Sequence, residues 1–474
     1  MKRILICLFI ILFGCNSNLL ACTTDSSFRI SIDNEMFTAP EVLSLYIQKK
    51  SLSCEEKNAG EWLKNICDEN GLHIYNYGSE NGNYNFAATL FPISDSLPNI
   101  VLLNHIDVVD AGDSNLWTYP PYSGFITETD IWGRGAFDNK GPAIMQLFSL
   151  LEFKSNHLGE NLNYNITFLA VSCEETLCDG GAQYVLENHL SELNIAVVIG
   201  EGSTELGELI GSENEEPIFG ISLAHKRPLW LELNLSIPTS GHGSVTPEEY
   251  ANKEMAIALS NLAQKKTPLI YIKENKEILK FIAEQRSGMS KFILKHPVLF
   301  KSTISKQLRK QPEIFALFSN TVTITSIGNN NSTINMIPQN ATAILDCRLL
   351  PEFPQEKMMK FISDALENDS IKISIIETME PSPISSSETS FYKNLESAIE
   401  ASYDNSNVIP IILPNYSDIG QFRAYGIQGY SIIPIQLDLD FLKCIHAENE
   451  RIPIKALHSG ASVYLKFLEF SQIH

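Results

Sequence analysis

From about residue 99 short apolar runs alternate with helical ones, and this alternation constrains the fold more than any other feature of the chain. NIVLLNHIDVV (99–109) has the unbroken apolar character of a strand buried on both faces, and GPAIMQLFSLLEF (141–153) has the length and period of a helix. YNITFLAVSC (164–173) repeats the strand, AQYVLENHLSEL (182–193) the helix and IAVVIGEG (195–202) the strand again. Strands joined through helices run parallel, so the pattern predicts an α/β fold: a mostly parallel sheet flanked by helices on both faces. Ligands of such sheets lie at the carboxyl ends of the strands. The chemically unusual residues of this sequence fall there.

The middle of the chain changes character. Strand-like GISLA (220–224) and LWLELNLSIP (229–238), expected to pair with each other, precede a helix expected from Pro247 to about Gln264, with Thr246 as its cap. Strands over 321–328 and 341–349, a helix over 354–367 and a strand over 370–376 follow. This inventory predicts a smaller α+β domain, a lid or dimerisation unit over 220–380, inserted into a catalytic domain made of 33–219 and 381–474. The second part holds a helix over 389–402, a strand over 408–413 and a final helix over 455–471. The length of 474 residues accommodates this division. A helical insertion is expected over 265–320. Within it, residues 265–310 carry twelve Lys/Arg against three Asp/Glu in a chain of net charge −21. Two readings stand: a solvated insertion kept soluble by its charges, or a basic amphipathic surface resting on anionic lipid or sheltering an acyl chain.

That net charge, 35 Lys+Arg against 56 Asp+Glu, repels phosphate backbones and excludes general nucleic-acid binding. Hydrophobic residues at 44% and charged residues at 19% exclude a disordered chain. MKRILICLFIILFGC has the form of an export signal: Lys2 and Arg3 precede an apolar run too short to span a bilayer. The leader is taken as residues 1–21. Leu12-Phe13-Gly14-Cys15 resembles a bacterial lipoprotein box, so cleavage before an acylated Cys15 competes with a plain cut after Ala21. Either predicts an exported protein, periplasmic or membrane-anchored. Disulfides are then permitted, with Cys54–Cys67 the leading expectation, and no CxxC motif is present.

Separate segments place metal-type ligands at strand ends. LLNHIDVVD offers His105 and Asp107, spaced so that the carboxylate can orient the imidazole. GRGAFDNKG offers Asp138, VSCEETLCDGG the adjacent Glu174 and Glu175, and VVIGEGS offers Glu201. Any one of these is an ordinary surface or capping residue. Gathered at one sheet edge, so many acids repel each other unless a cation offsets them.

LNHIDVVD, GRGAFDNKGP, EE followed by GGA, EGS, SGHGS, NMIPQNATAILDCRLLP and IHAENERI, in that order, resemble the motifs of the zinc aminoacylase/carboxypeptidase family. The family includes carboxypeptidase S, aminoacylase, glutamate carboxypeptidase and succinyl-diaminopimelate desuccinylase. The resemblance spans about 33–474 and is nearest the carboxypeptidase S branch, which also contains enzymes that cleave or form N-fatty-acyl amino acids. It implies two zinc ions bridged by Asp138, one completed by His105 and Glu201, the other by Glu175 and His446. Imidazole and carboxylate suit zinc, and two metals about 3.5–4 Å apart would hold and acidify a water. Glu174 would be the general base, Asp107 the residue orienting His105, and Asp138-Asn139 a cis peptide. His242 would stabilise the oxyanion, in dimeric relatives from the partner chain. Asn335 and Arg348 would grip the substrate carboxylate, although a strand arginine also pairs readily with a structural acid.

The substrate implied is a small peptide or an N-acyl amino acid. Departures from the family are AHKRPL in place of a Glu-Lys-Gly turn, NYSDIGQFR (415–423) in place of a glycine-rich loop, and Cys178 where glycine is common. Cys178 is expected to be packed or disulfide-bonded rather than a ligand. A non-catalytic exported binding protein is the alternative of another class. A serine hydrolase finds no G-x-S-x-G elbow.

Overall fold

The computed structural model describes residues 28–78, 83–157, 159–210, 216–329 and 333–473. The expected leader, Cys15 and Cys22 lie outside them. The strands of the two main sheets are β1 (His73–Asn76), β2 (Phe86–Thr89), β3 (Asn99–His105), β4 (Asn165–Val171), β5 (Ile195–Ser203), β6 (Ile218–His225), β7 (Arg227–Ser236), β8 (Thr321–Gly328), β9 (Asn340–Leu349), β10 (Lys372–Thr378), β11 (Asn407–Leu413) and β12 (Gly429–Ile432). The larger sheet has eight strands in the order β11-β6-β12-β5-β3-β4-β2-β1. Its heart, β12-β5-β3-β4, is parallel, while β1, β2 and the β12/β6 pair run antiparallel.

Every residue of β3 and β4 is buried, which is why both read as continuous apolar runs. Helices Lys140–Asn156, Ser390–Glu400 and Ile454–Ser471 contribute buried side chains to one core cluster, and Ala182–Leu193 and Ile419–Ala424 to another. Gly135, at φ +84°, passes so close to β3's exit that an added Cβ would lie 2.7 Å from Val108. A side chain there would displace the Asp138 turn from the sheet.

The smaller sheet, β8-β9-β7-β10, is antiparallel and buries one face on helices Ala251–Gln264 and Gln355–Leu366. Its strands alternate buried and half-exposed side chains, as in β7, the mark of a one-sided sheet. Two expectations change here. Residues 220–224, read with the inserted domain, belong to β6, which pairs in parallel with β11 of the larger sheet. The chain turns into the smaller sheet only at Lys226. The helix after SGHGS begins at Ala251 rather than Pro247, and Thr246 bonds to the Gly243 carbonyl instead of capping it. The helical insertion does not extend the smaller sheet. Ile278, Leu279, Ile304, Leu308 and Phe318 pack with Ile218, Ile409 and Ile411, covering the β6/β11 edge of the larger one.

Candidate metal centre and active site

The ends of β3, β4 and β5 lie side by side, and each delivers part of one cluster. His105 closes β3 and is buried; its Nε2 lies 3.2 Å from Asp138 Oδ1 and 3.3 Å from Glu201 Oε2. Asp138 comes from the turn before helix Lys140–Asn156, through a cis Asp138-Asn139 peptide. Its second oxygen, Oδ2, lies 3.2 Å from His446 Nε2, which is also 3.2 Å from Glu175 Oε2. Asp138 therefore stands between two imidazoles, each completed by a different glutamate. The ligand atoms of His105, Asp138 and Glu175 all fall within 4.8 Å of one another, as do those of His105, Glu174 and Glu201.

Glu174 and Glu175 form a short turn after β4. Cys173 (φ +59°) and Leu177 (φ +54°) bracket it in the left-handed region, an arrangement costly for non-glycine residues and concentrated at functional sites. Both backbone N–H groups donate to Asp107, Glu174 to Oδ1 at 3.1 Å and Glu175 to Oδ2 at 3.1 Å. Ser53 donates its hydroxyl to Asp107 Oδ2 at 2.6 Å. His105 Nδ1 lies 3.0 Å from the backbone carbonyl of wholly buried Asp107 and 3.4 Å from its Oδ1. Asp107 thus orients the imidazole and the glutamate turn together.

Further residues brace the cluster from behind. Asn139 donates to Glu201 at 2.6 Å. Buried Glu450 accepts from the backbone N–H groups of Gly135, Phe137 and Asp138 at 2.9–3.0 Å and from Arg134 at 2.6 Å, fixing the Asp138 turn. Glu56 accepts from the N–H groups of Cys54 and Cys173. Glu450 lies within the IHAENERI motif that carries His446; Ser53 and Glu56 carry no motif.

The electrostatics are those of an acid cluster wanting cations. Burial, with Glu201, Asp418 and Glu175 close by, pushes the Glu174 carboxyl well above its ordinary range. Burial and Asp138 also raise Glu175 despite its imidazole partner. Asp418, facing the same cleft, is pushed up to about 8 by burial and neighbouring acids. Hydrogen bonds to Asp138 and Glu175 raise His446 to about 10. Glu175 Oε1 is buried without a partner. Nitrogen and oxygen donors converging from separate loops, one orphaned, fit a pair of divalent cations.

The lid residues lie differently. His242 Nε2 is 2.9 Å from Asn335 Nδ2, and His242 Nδ1 is 2.8 Å from Ser244 Oγ, all on exposed loops. Arg348 donates to both oxygens of Asp346 at 2.8 and 3.0 Å, a pairing that occupies its guanidinium. Two cysteine expectations resolve. Cys54 and Cys67 are free, the first exposed and the second buried in the face of helix Lys57–Glu69 that meets the core. The disulfide joins Cys173 to Cys178 instead, so Cys178 is bonded and spans the Glu174–Glu175 turn.

A mixed sheet whose strand ends gather two imidazoles and several carboxylates defines a metal-dependent hydrolase. The comparisons identify the family: residues 101–469 match Peptidase family M20/M25/M40, and the chain belongs to it. It is 28% identical to probable carboxypeptidase S-like 2 of Dictyostelium discoideum, over 79% of this chain and 72% of that one. It is 26% identical to the N-fatty-acyl-amino acid synthase/hydrolase PM20D1 of Mus musculus, over 80% and 76%. The M20 family metallo-carboxypeptidase Sso-CP2 from Sulfolobus solfataricus superposes with a TM-score of 0.69 at 20% identity, covering 93% of this chain and all of that one.

Proposed function

We propose that this protein is a di-zinc carboxypeptidase-type exopeptidase that cleaves the amide bond before a C-terminal amino acid. The observation that carries the reading is Asp138, one carboxylate reaching two imidazoles, each backed by its own glutamate. His105, Asp138 and Glu201 would hold one zinc, and Asp138, Glu175 and His446 the other. Bound there, the pair supplies a Lewis acid for the scissile carbonyl and a water acidic enough to attack near neutral pH.

The protein's own groups do the rest. Glu174 takes the proton of the attacking water and delivers it to the leaving amine; its upward-shifted carboxyl suits both halves of that transfer. Asp107 holds the tautomer of His105 and fixes the backbone on which Glu174 stands. His242 donates to the developing oxyanion once brought to the cluster, with Asn335 beside it at the substrate carboxylate. Arg348 joins that grip only by exchanging Asp346 for substrate.

Purified protein is expected to bind near two zinc ions per chain and to release amino acids from blocked dipeptides in a chelator-sensitive way. Glu174→Ala should keep the metal and lose turnover by about 10²–10⁴-fold. Retained turnover removes Glu174 from its role. Likeness to PM20D1 supports a second reading, hydrolysis or synthesis of N-fatty-acyl amino acids. Rates on acyl-phenylalanines of increasing chain length, set against dipeptides, separate the two. The leader motif supports an exported chain anchored through an acylated Cys15, tested by incorporation of labelled palmitate and its loss in Cys15→Ser.

A further inference from the structure

We propose that the helical insertion is a docking face for an anionic lipid surface. Residues 286–310 contain seven Lys/Arg and no Asp or Glu, inside a chain of net charge −21. The same stretch exposes large apolar side chains: Met289 is 70% exposed, Val298 70% and Leu299 76%, with Phe292 half exposed beside them. They sit on helix Gly288–Lys295 and the turn before helix Lys301–Leu308.

The stretch is packed rather than dangling. Ile293, Leu294, Phe300, Ile304 and Leu308 face the β6/β11 edge of the larger sheet, so the apolar side chains left outside are those the core does not use. Phe292 also meets Phe300 edge to face, 5.7 Å between ring centres. Glu284 ties down Lys291 and Lys295 at 2.6 and 2.7 Å. Lys301, Lys306 and Lys310 continue the basic face with their side chains exposed.

Charge chooses the occupant. An acidic protein repels an anionic membrane over most of its surface, and only a locally basic face can approach one. Apolar side chains framed by lysines are the composition of an interfacial segment, burying the apolar tips at the headgroup boundary while the ammonium groups meet lipid phosphates. No helix among the described residues is long and apolar enough to cross a membrane. The contact is therefore peripheral. It rests on no assignment of the active site, and it would present a body-fixed surface, not the lid, to the lipid.

The test uses the chain from Cys22 onward, the product of the plain cut, so that neither the apolar leader nor acylation contributes, floated with vesicles of phosphatidylcholine containing phosphatidylglycerol and with vesicles of phosphatidylcholine alone. Binding is expected only to the anionic vesicles, weakening as salt rises. Joint replacement Lys301→Glu, Lys306→Glu and Lys310→Glu should lower partitioning by about a hundredfold, and Met289→Ser, Val298→Ser and Leu299→Ser by about tenfold or more. Unchanged melting temperature and dipeptide turnover show that each variant is folded. Failure to float with anionic vesicles, or equal flotation of parent and variants, overturns the proposal. So does a shift from dimer to monomer in the variants without vesicle binding, which would make the occupant a second copy of the chain.

Discussion

The acid–histidine cluster and the smaller-sheet region expected to act as a lid hold their candidate residues in opposite ways. In the cluster nearly every side chain is fixed from more than one side: His105 by Asp107, Asp138 and Glu201, Asp138 by two imidazoles, and the Asp138 turn by Glu450. In the lid, His242 is bonded to its own loop and to Asn335, and Arg348 to its neighbour Asp346. Metal binding therefore requires no movement of the chain. In the proposed mechanism His242, bonded here to Ser244 and Asn335, would have to be brought to the reacting carbonyl by closure or from a second subunit. The cluster is preorganised for its task, whereas the role proposed for His242 depends on such a movement.

The strongest way to break this contrast is Asp138→Ala. Removing the one shared carboxylate should abolish turnover and empty the centre, measured as metal per chain by mass spectrometry. A variant that keeps two metals and turns over would mean that the two halves do not depend on Asp138. His242→Ala should leave metal content untouched and lower kcat by about 10²–10³-fold, the usual worth of one oxyanion donor. Mixing it with Glu174→Ala chains asks where His242 acts. Recovery of activity in the mixture is expected and places His242 in the partner's site; no recovery places closure within one chain.

How much of this was legible in the sequence follows the same line. Parallel strands buried on both faces read as unbroken apolar runs, so their polar ends stood out, and those ends supplied His105, Glu174, Glu175 and Glu201. Asp138 stood out by its glycine-flanked turn. His446 sits in a loop with no periodic signal, at φ +59°, and only the motif resemblance pointed to it. Strand β6 looked like a partner for β7 because the two are adjacent in sequence; pairing with β11, almost two hundred residues away, is a tertiary choice that local pattern does not encode. The disulfide was missed for a related reason. Cys54–Cys67 was the leading expectation, yet helix Lys57–Glu69 turns Cys67 into the core, whereas the left-handed residues at either end of the glutamate turn fold Cys178 back onto Cys173.

That disulfide sharpens the comparison from the cluster's side. A bridge closing five residues of separation restrains the unfolded chain by about 2 kcal/mol in the loop-entropy picture. It also braces the turn carrying Glu174 and Glu175. Cys173→Ser with Cys178→Ser is expected to cost about that much in chemical denaturation, with kcat falling more than KM changes. Equal loss in both kinetic constants would show that the turn holds its shape through Asp107 alone.

The smallest effect is the most specific. Without metal, hydrogen bonds to Asp138 and Glu175 hold His446 protonated up to about 10, so its stabilisation is complete below the ordinary imidazole value of 6.5 and is lost as pH rises toward 10. Glu174 and Glu175, pushed up chiefly by burial, act in the same sense, since ionising them inside the cluster costs stability. Asp138 runs the other way: burial would raise it, but His105 and His446 hold it low, and its contribution is lost on acidification below its ordinary 3.8. Stripped protein should thus melt highest in mildly acidic buffer and lose roughly a few degrees between pH 6.5 and 9. In loaded protein the imidazoles are neutral ligands already, and the curve should stay level over that range. Half-exposed His446 keeps the amplitude modest through solvent screening. Parallel melting curves for the two forms would show that the cluster does not hold protons in place of metal, and the contrast with the lid would lose its electrostatic basis.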